Sequence, residues 1–190
     1  TGRKPNTAGL NVEAAGLKLQ PNGGIITDAH RRASNHIWVI GDAAGSLMFT
    51  YVSLDDFRIV RSSLEDGAYS EIGRNIPYSV FIEPTLSVVG LTETAAIERG
   101  YDVAVATMPA AAIPKAHVLQ KPYGMLKAVV DKKTRMILGA TLFCEDSHEL
   151  INIIKLAMDA HVPYMVLRDQ IFTHPTMAEA LNDLFGKIKI

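Results

Sequence analysis

The sequence contains one cysteine, Cys144, among 190 residues. A single thiol excludes an internal disulfide and a zinc site built on several cysteines. The chain also lacks an excess of either charge: 19 basic residues face 20 acidic ones, for a net charge of −1. With no Lys/Arg run, that balance argues against a nucleic-acid or other polyanion partner. Long apolar runs are missing too. Val39–Leu54 is broken by Gly41, Asp42 and Gly45, and Val103–Pro114 by Pro109. Neither approaches the ~20 apolar residues of a membrane span. These absences predict a cytoplasmic protein with no membrane or nucleic-acid contact. The rest is ordinary for a globular chain, with 48% hydrophobic and 21% charged residues, enough for one large domain or two small ones.

Thr1-Gly2-Arg3-Lys4-Pro5-Asn6-Thr7 is neither an initiator nor a signal or transit peptide. It reads as a loop entered from upstream, so the chain is expected to be part of a longer protein. His36–Ile40 is an apolar run ending in Gly41-Asp42, the pattern of a buried parallel strand that delivers a polar group at its C-terminal end. Phe57, Val60, Leu64, Ala68 and Ile72 recur at helical spacing and predict an amphipathic helix over about 55–74, capped by Ser53 or Asp55 and stopped before Pro77. A domain boundary is expected there, giving residues 1–76 and 77–190.

The second part has a different rhythm. Ser79–Ile82, Leu86–Val89, Val103–Met108, Met125–Val130 and Met136–Phe143 read as strands, with Asp131–Thr134 turning the last two into a hairpin. Thr92-Glu93 opens a short helix followed by Gly100. Asp146 with Glu149, and Thr176 with Glu179, have capping-box spacing ahead of two further helices. Strands with segregated helices predict an α+β domain on an antiparallel sheet.

Asp42 follows Gly41 where α/β folds place ligands, and its carboxylate can accept hydrogen bonds from ligand hydroxyls. From local pattern alone, an Asx turn closing the loop is the favoured account of it. Thr50–Ser53 approach a helix N-terminus, which stabilises an anion or a ring that becomes anionic on reduction. Against that stands an ordinary capped helix whose dipole Asp55 and Asp56 already complement. In His174-Pro175-Thr176-Met177-Ala178-Glu179 the chain can fold back so that Glu179 meets His174, fixing its tautomer for proton exchange. A plain Thr176–Glu179 capping box is the competing account. His148 lies among Glu145, Asp146 and Glu149 but lacks metal-ligand spacing, so no metal site is expected. Cys144 ends an apolar strand and reads as a buried small hydrophobe.

Taken together, Thr1–Thr7, Ile37–Asp42, Phe81-Ile82-Glu83-Pro84 with Val89–Glu93, and His174-Pro175-Thr176 with Glu179 resemble the flavin-dependent pyridine nucleotide–disulfide oxidoreductases. That family includes glutathione reductase, dihydrolipoamide dehydrogenase and mercuric reductase. The resemblance implies that residues 1–76 hold the exit from an NAD(P)-binding domain and the returning segment of an α/β FAD-binding domain, and that residues 77–190 form a dimerisation domain. It implies that Gly41 and Asp42 meet the ribityl chain of FAD and that the backbone at Thr50 faces the flavin pyrimidine edge. It implies that His174 reaches the partner subunit's redox site in a homodimer, oriented by Glu179, with the His–Pro bond often cis. The reaction implied is hydride transfer from NAD(P)H to FAD, then electron transfer through a cysteine pair to a small-molecule or metal-ion acceptor.

The string Phe49–Val60 departs from the family's usual Leu-Thr-Pro-Val-Ala run and following Glu-Gly-Arg. It resembles the branch of bacterial reactive-chlorine-resistance flavoproteins linked to copper(II) reduction. Ile82-Glu83 replaces the usual Thr-x before Pro84, so nicotinamide-side contacts do not carry over. No Gly-x-Gly-x-x-Gly and no Cys-x4-Cys pair occur here. The 190 residues alone are therefore expected to fold and dimerise without holding FAD tightly or turning over. The alternative is a noncatalytic module for self-association or partner binding, which has no need of the His174–Glu179 pair.

Overall fold

A computed structural model describes residues 2–190; Thr1, the first residue of the expected entry loop, lies outside them. The chain divides into two compact units, Thr1–Arg74 and Asn75–Ile190.

In the first unit, β1 (Arg32–Ser34) and β2 (Ile37–Trp38) form an antiparallel pair. A 3-10 turn over Gly41–Ala44 and the helix α1 (Thr50–Leu64) follow. Ile25, Val39 and Ala44 make a small apolar cluster. The expected parallel strand over 36–40 is therefore corrected. Only Ile37 and Trp38 pair as a strand, and their neighbour is antiparallel because the chain doubles back from Ser34.

The expected helix over 55–74 is corrected as well. It starts at Thr50 with Phe49 at the N-cap and no side-chain cap, so neither Ser53 nor Asp55 caps it. It ends where Asp66 turns left-handed (φ 57°) and the Gly67 N–H donates to the Ser62 carbonyl. Its buried row is Val52, Asp56 and Ile59, whereas Phe57 and Leu64 are exposed and Ile72 lies beyond the helix. The spacing of four and then three is helical, but the middle residue is charged. An apolar count therefore selects the wrong face.

The second unit is α+β, as expected. Strands β3 (Tyr78–Val80), β4 (Leu86–Gly90), β5 (Val103–Pro109), β6 (Met125–Asp131) and β7 (Ile137–Phe143) form an antiparallel sheet in the order β3-β4-β7-β6-β5. Helices α2 (Glu93–Glu98), α3 (Pro114–Val118), α4 (Ser147–Asp159), α5 (Tyr164–Asp169) and α6 (Ala180–Gly186) complete it. On β5, Ala104, Ala106 and Met108 alternate inward with the two-residue period of a strand. On α4, Leu150, Ile151, Ile154 and Ala157 face the same core. From α6, Leu181, Leu184 and Phe185 close it, each fully buried. Each such large side chain stabilises the fold by roughly 1.5–3 kcal/mol. Gly139 in β7 allows a close approach, since a Cβ there would lie 2.2 Å from the Leu91 carbonyl oxygen.

Cys144 is fully buried in this core, and burial pushes its thiol pKa up to about 12. Thr92 caps α2 through the Ala95 N–H at 3.2 Å. The expected Asp146 capping box does not form. Asp146 is left-handed (φ 54°) and its side chain makes no cap bond. The next residue, Ser147, instead donates to the Thr85 carbonyl at 2.7 Å, tying the helix start to the sheet. The short helices α3 and α5 carry no periodic signal that marks them; Pro114 opens one and Pro163 precedes the other. His117 lies on α3. Among the described residues no helix is long and apolar enough to cross a membrane.

Candidate functional site

Two places carry the chemistry expected of this chain, one in each unit. In the first unit, β2 leads through Val39 and Ile40 into the 3-10 turn. Gly41 has φ +61°, and a Cβ there would lie 2.4 Å from Ser53 Oγ, so glycine is required on both counts. The turn closes through the backbone, with the Gly45 N–H donating to the Asp42 carbonyl at 3.0 Å. An Asx turn is thus not what holds Asp42. Its side chain is exposed and, among the described residues, meets no hydrogen-bond donor. Thr50 is the exposed first residue of α1, a 15-residue helix with no side-chain cap and no acidic residue in its first turn. Asp55 and Asp56 therefore do not complement the helix start, contrary to the simpler account of them. The positive end of the helix dipole thus lies at Thr50.

Beneath this turn lies a buried ion cluster that the sequence pattern does not announce. Asp56 is fully buried. Its Oδ1 accepts from Arg31 Nε at 2.9 Å and Arg74 Nη1 at 2.8 Å, and its Oδ2 accepts from the Gly41 N–H at 2.9 Å. Arg31 also pairs with Glu71. Arg74 Nη1 reaches Asp55 Oδ2 at 3.0 Å, and Tyr69 Oη donates to Asp55 Oδ1 at 2.9 Å. Burial alone would raise the Asp55 carboxyl, but the hydrogen bonds from Arg74 and Tyr69 outweigh it and hold the group below its ordinary value. Burial would likewise lower Arg74, and its bonds to Asp56 and Asp55 outweigh it and raise the guanidinium. Arg31 itself is left-handed (φ 62°), a conformation costing a non-glycine residue roughly 1–2 kcal/mol. The only sequence signal for this cluster is an acidic residue on the same helix face as Val52 and Ile59.

In the second unit, His174 follows α5 and precedes α6. Its side chain is 70% exposed, and Nδ1 lies 2.8 Å from Glu179 Oε2. With the carboxylate as acceptor, the Nδ1–H donates to it, and Nε2 keeps no hydrogen-bond partner among the described residues. The His174–Pro175 bond is cis. Thr176 Oγ1 accepts from the Glu179 N–H at 3.3 Å and donates to the Thr173 carbonyl at 2.7 Å. The Glu179 carboxylate turns to His174 rather than back to Thr176, so the reciprocal half of a capping box is missing. Glu179 Oε1 is buried with no hydrogen-bond partner among the described residues, so a single oxygen, Oε2, engages the imidazole. Met177 and Ala180 anchor the segment in the core. The Asn182 side-chain amide reaches the carbonyls of Leu167, Arg168 and Gln170 and holds α6 to the end of α5.

Beside this segment runs a groove with an apolar floor of Leu150, Ile153, Leu156, Met177 and Ala178, edged by Asp146, Glu149 and Asn152, with Leu156 68% exposed. No group of three His, Cys, Asp or Glu side chains among the described residues is arranged to hold a metal ion. His148 lies 3.8 Å from Glu149 and stacks obliquely near Phe81.

Residues 76–185 match the family profile of the pyridine nucleotide-disulphide oxidoreductase dimerisation domain, and residues 1–56 that of the pyridine nucleotide-disulphide oxidoreductases. The chain is 53% identical over its whole length to the probable pyridine nucleotide-disulfide oxidoreductase RclA of Escherichia coli, covering 44% of that protein. It is 36% identical over 96% of its length to the mercuric reductase of Staphylococcus aureus, covering 34% of it. A solved structure, a Cu(II) complex of the HOCl-induced flavoprotein disulfide reductase RclA from Escherichia coli, superimposes with a TM-score of 0.94 at 53% identity, over 99% of this chain and 44% of that one. The chain spans less than half the length of these relatives.

Proposed function

The chain belongs to the pyridine nucleotide-disulphide oxidoreductases, and from that premise we propose that it acts as the C-terminal portion of an FAD-dependent NAD(P)H oxidoreductase, working as a cytoplasmic homodimer. In this reading residues 1–76 complete a flavin site and residues 77–190 supply the dimer interface and a proton-transfer pair. FAD supplies the means of passing electrons from a nicotinamide to a thiol or metal-ion acceptor. The residues present suit that cofactor. Asp42 offers an exposed carboxylate with no internal donor to occupy it, as a polyhydroxy chain requires. Gly41 leaves no side chain in the way, and Thr50 is the exposed first residue of α1, at the positive end of its dipole.

The observation that carries the catalytic half is His174, exposed yet held at Nδ1 by a largely buried carboxylate. Glu179 fixes the ring, and Nε2 gives or takes the proton of a thiol. The apolar groove along α4 beside Met177 and Ala178 suits a second copy of the domain, which would bring His174 of one subunit to the redox site of the other. The Cu(II) complex of the E. coli relative makes a metal ion one acceptor to try.

The test uses the full-length protein. Replacing His174 by Gln is expected to slow turnover with a disulfide or thiol acceptor by about 10²–10⁴-fold, the range for loss of a general acid–base, while flavin reduction by NAD(P)H keeps its rate. Glu179→Gln is expected to act in the same direction and more weakly. Unchanged turnover in both variants would remove His174 and Glu179 from the reaction and leave residues 77–190 an association module only.

A further inference from the structure

We infer that Asp56, although fully buried, is a positioning residue for the flavin site: it sets the turn that presents Asp42. This rests on the reading above that Asp42 binds FAD. Val39 and Ile40 link β2 to Gly41, the first residue of the turn. The Val39 N–H donates to the Arg31 carbonyl at 2.9 Å, and the Gly41 N–H donates to Asp56 Oδ2 at 2.9 Å. Arg31 and Asp56 are themselves joined, Nε to Oδ1, at 2.9 Å. One closed circuit thus grips the backbone on both sides of Ile40, and Asp42 is the next residue out.

Each member of the circuit resists displacement. Asp56 is fully buried, and its two oxygens receive bonds from Arg31, Arg74 and Gly41, with Ser46 Oγ at 3.4 Å as a fourth neighbour. Arg31 is 4% exposed and adopts a left-handed backbone that its carbonyl bond to Val39 helps to fix. Gly41 is left-handed and packs against Ser53, one turn before Asp56 on the same helix. Helix α1 therefore holds the turn at two points, through Ser53 by contact and through Asp56 by a charged hydrogen bond, the stronger kind. Its first residue, Thr50, is the other group expected to face the flavin. Asp56 fixes the turn to the helix that carries Thr50, so both contacts are referred to one rigid element. An apolar residue at position 56 could fill the space but could not receive the Gly41 N–H.

The experiment measures FAD affinity for the full-length apoprotein in a double-mutant cycle. Asp42→Ala and Asp56→Asn are each expected to raise the FAD dissociation constant by about tenfold or more. In the Asp42→Ala background, Asp56→Asn is expected to add less than about twofold, because the group it positions is already gone. Equal fold-losses with and without Asp42 would overturn the inference and leave Asp56 a purely structural residue. An unchanged dissociation constant in Asp42→Ala alone would overturn the cofactor reading beneath it. Should Asp56→Asn fail to fold, Arg31→Lys serves in its place. It keeps the charge but loses the simultaneous bonds to Asp56 and Glu71, and its smaller effect must likewise vanish in the Asp42→Ala background.

Discussion

The Asn75–Ile190 unit buries mainly alkyl and aromatic side chains, whereas the Thr1–Arg74 unit buries Arg31 and Asp56 beside a few residues such as Ile25, Val39 and Ala44. The difference concerns what each unit must accomplish. A large apolar core yields stability in proportion to area removed from water and tolerates small shifts of its parts. A buried ion cluster is weak evidence for stability, because desolvation offsets most of the attraction. It does dictate geometry, since every charged hydrogen bond must be satisfied at once. The second unit thus supplies a scaffold, and the His174–Glu179 pair stands on it through Met177 and Ala180. The first unit uses part of its interior to fix one turn. The sequence carries a reporter for each unit. Trp38, its one tryptophan, lies in the first, and Cys144, its one cysteine, lies in the second.

The largest expected effect tests the second unit. Burial raises the Cys144 thiol from 9.0 to about 12, so the thiolate at neutral pH is about a thousandfold scarcer than for that reference thiol, and the sulfur is shielded besides. Alkylation by iodoacetamide is expected to be slower than for an unfolded control by at least that factor. It should accelerate only as denaturant opens the core. Rapid labelling of the native chain would break the contrast between the units, since it would mean that the apolar core opens readily.

A smaller effect comes from truncating that core. Phe185 is fully buried and lies 6.2 Å, centroid to centroid, from Tyr164. Phe185→Ala is expected to cost about 3–5 kcal/mol through lost transfer energy and the cavity left behind. Cys144 labelling under denaturant reads this directly. A loss below about 1 kcal/mol would mean that packing is not what holds the second unit.

The legibility of the sequence divides along the same line. The five strands of the second unit, the Asp131–Thr134 turn and the Thr92 cap follow from local signals: alternation, polar turn residues and a hydroxyl before an acidic first turn. The closeness of His174 and Glu179 is also local, because five residues separate them. The Asp146 capping box failed because Asp146 is left-handed and cannot turn its side chain to the helix. In the first unit the buried face of α1 was illegible. Asp56 is satisfied by Arg31 and Arg74, which lie 25 positions before it and 18 after it. No local pattern encodes a partner at that distance, so a row of apolar residues at the wrong phase reads as the better helix face. The Gly41-Asp42 string was visible as a strand end, but what fixes it was not.

The smallest expected effect tests the first unit by pH. The Asp55 carboxyl sits below its ordinary value of 3.8 in the folded chain, where burial is outweighed by Arg74 and Tyr69, with Arg58 and Arg74 adding attraction. The unfolded chain therefore binds this proton more readily than the folded one. The contribution of Asp55 to stability is complete above the unfolded value and is lost as pH falls through the lower folded value. Asp55 is partly exposed, so solvent screens the interaction and the effect is small. Denaturant titrations followed by Trp38 emission should show the midpoint falling between about pH 5 and pH 2, and Asp55→Asn should make that fall shallower. Asp131 provides the matched case in the second unit. Its carboxyl is lowered first by the Thr134 hydroxyl, at 2.6 Å, and further by the Lys133 and Thr134 backbone N–H groups, against the opposing effect of burial. Asp131→Asn should flatten the acid limb of the second unit, followed by far-UV circular dichroism. If Asp55→Asn left the Trp38 profile unchanged, the polar cluster around Arg74 would hold no ionised Asp55 worth protecting. The contrast between the units would then rest on Asp56 and Arg31 alone.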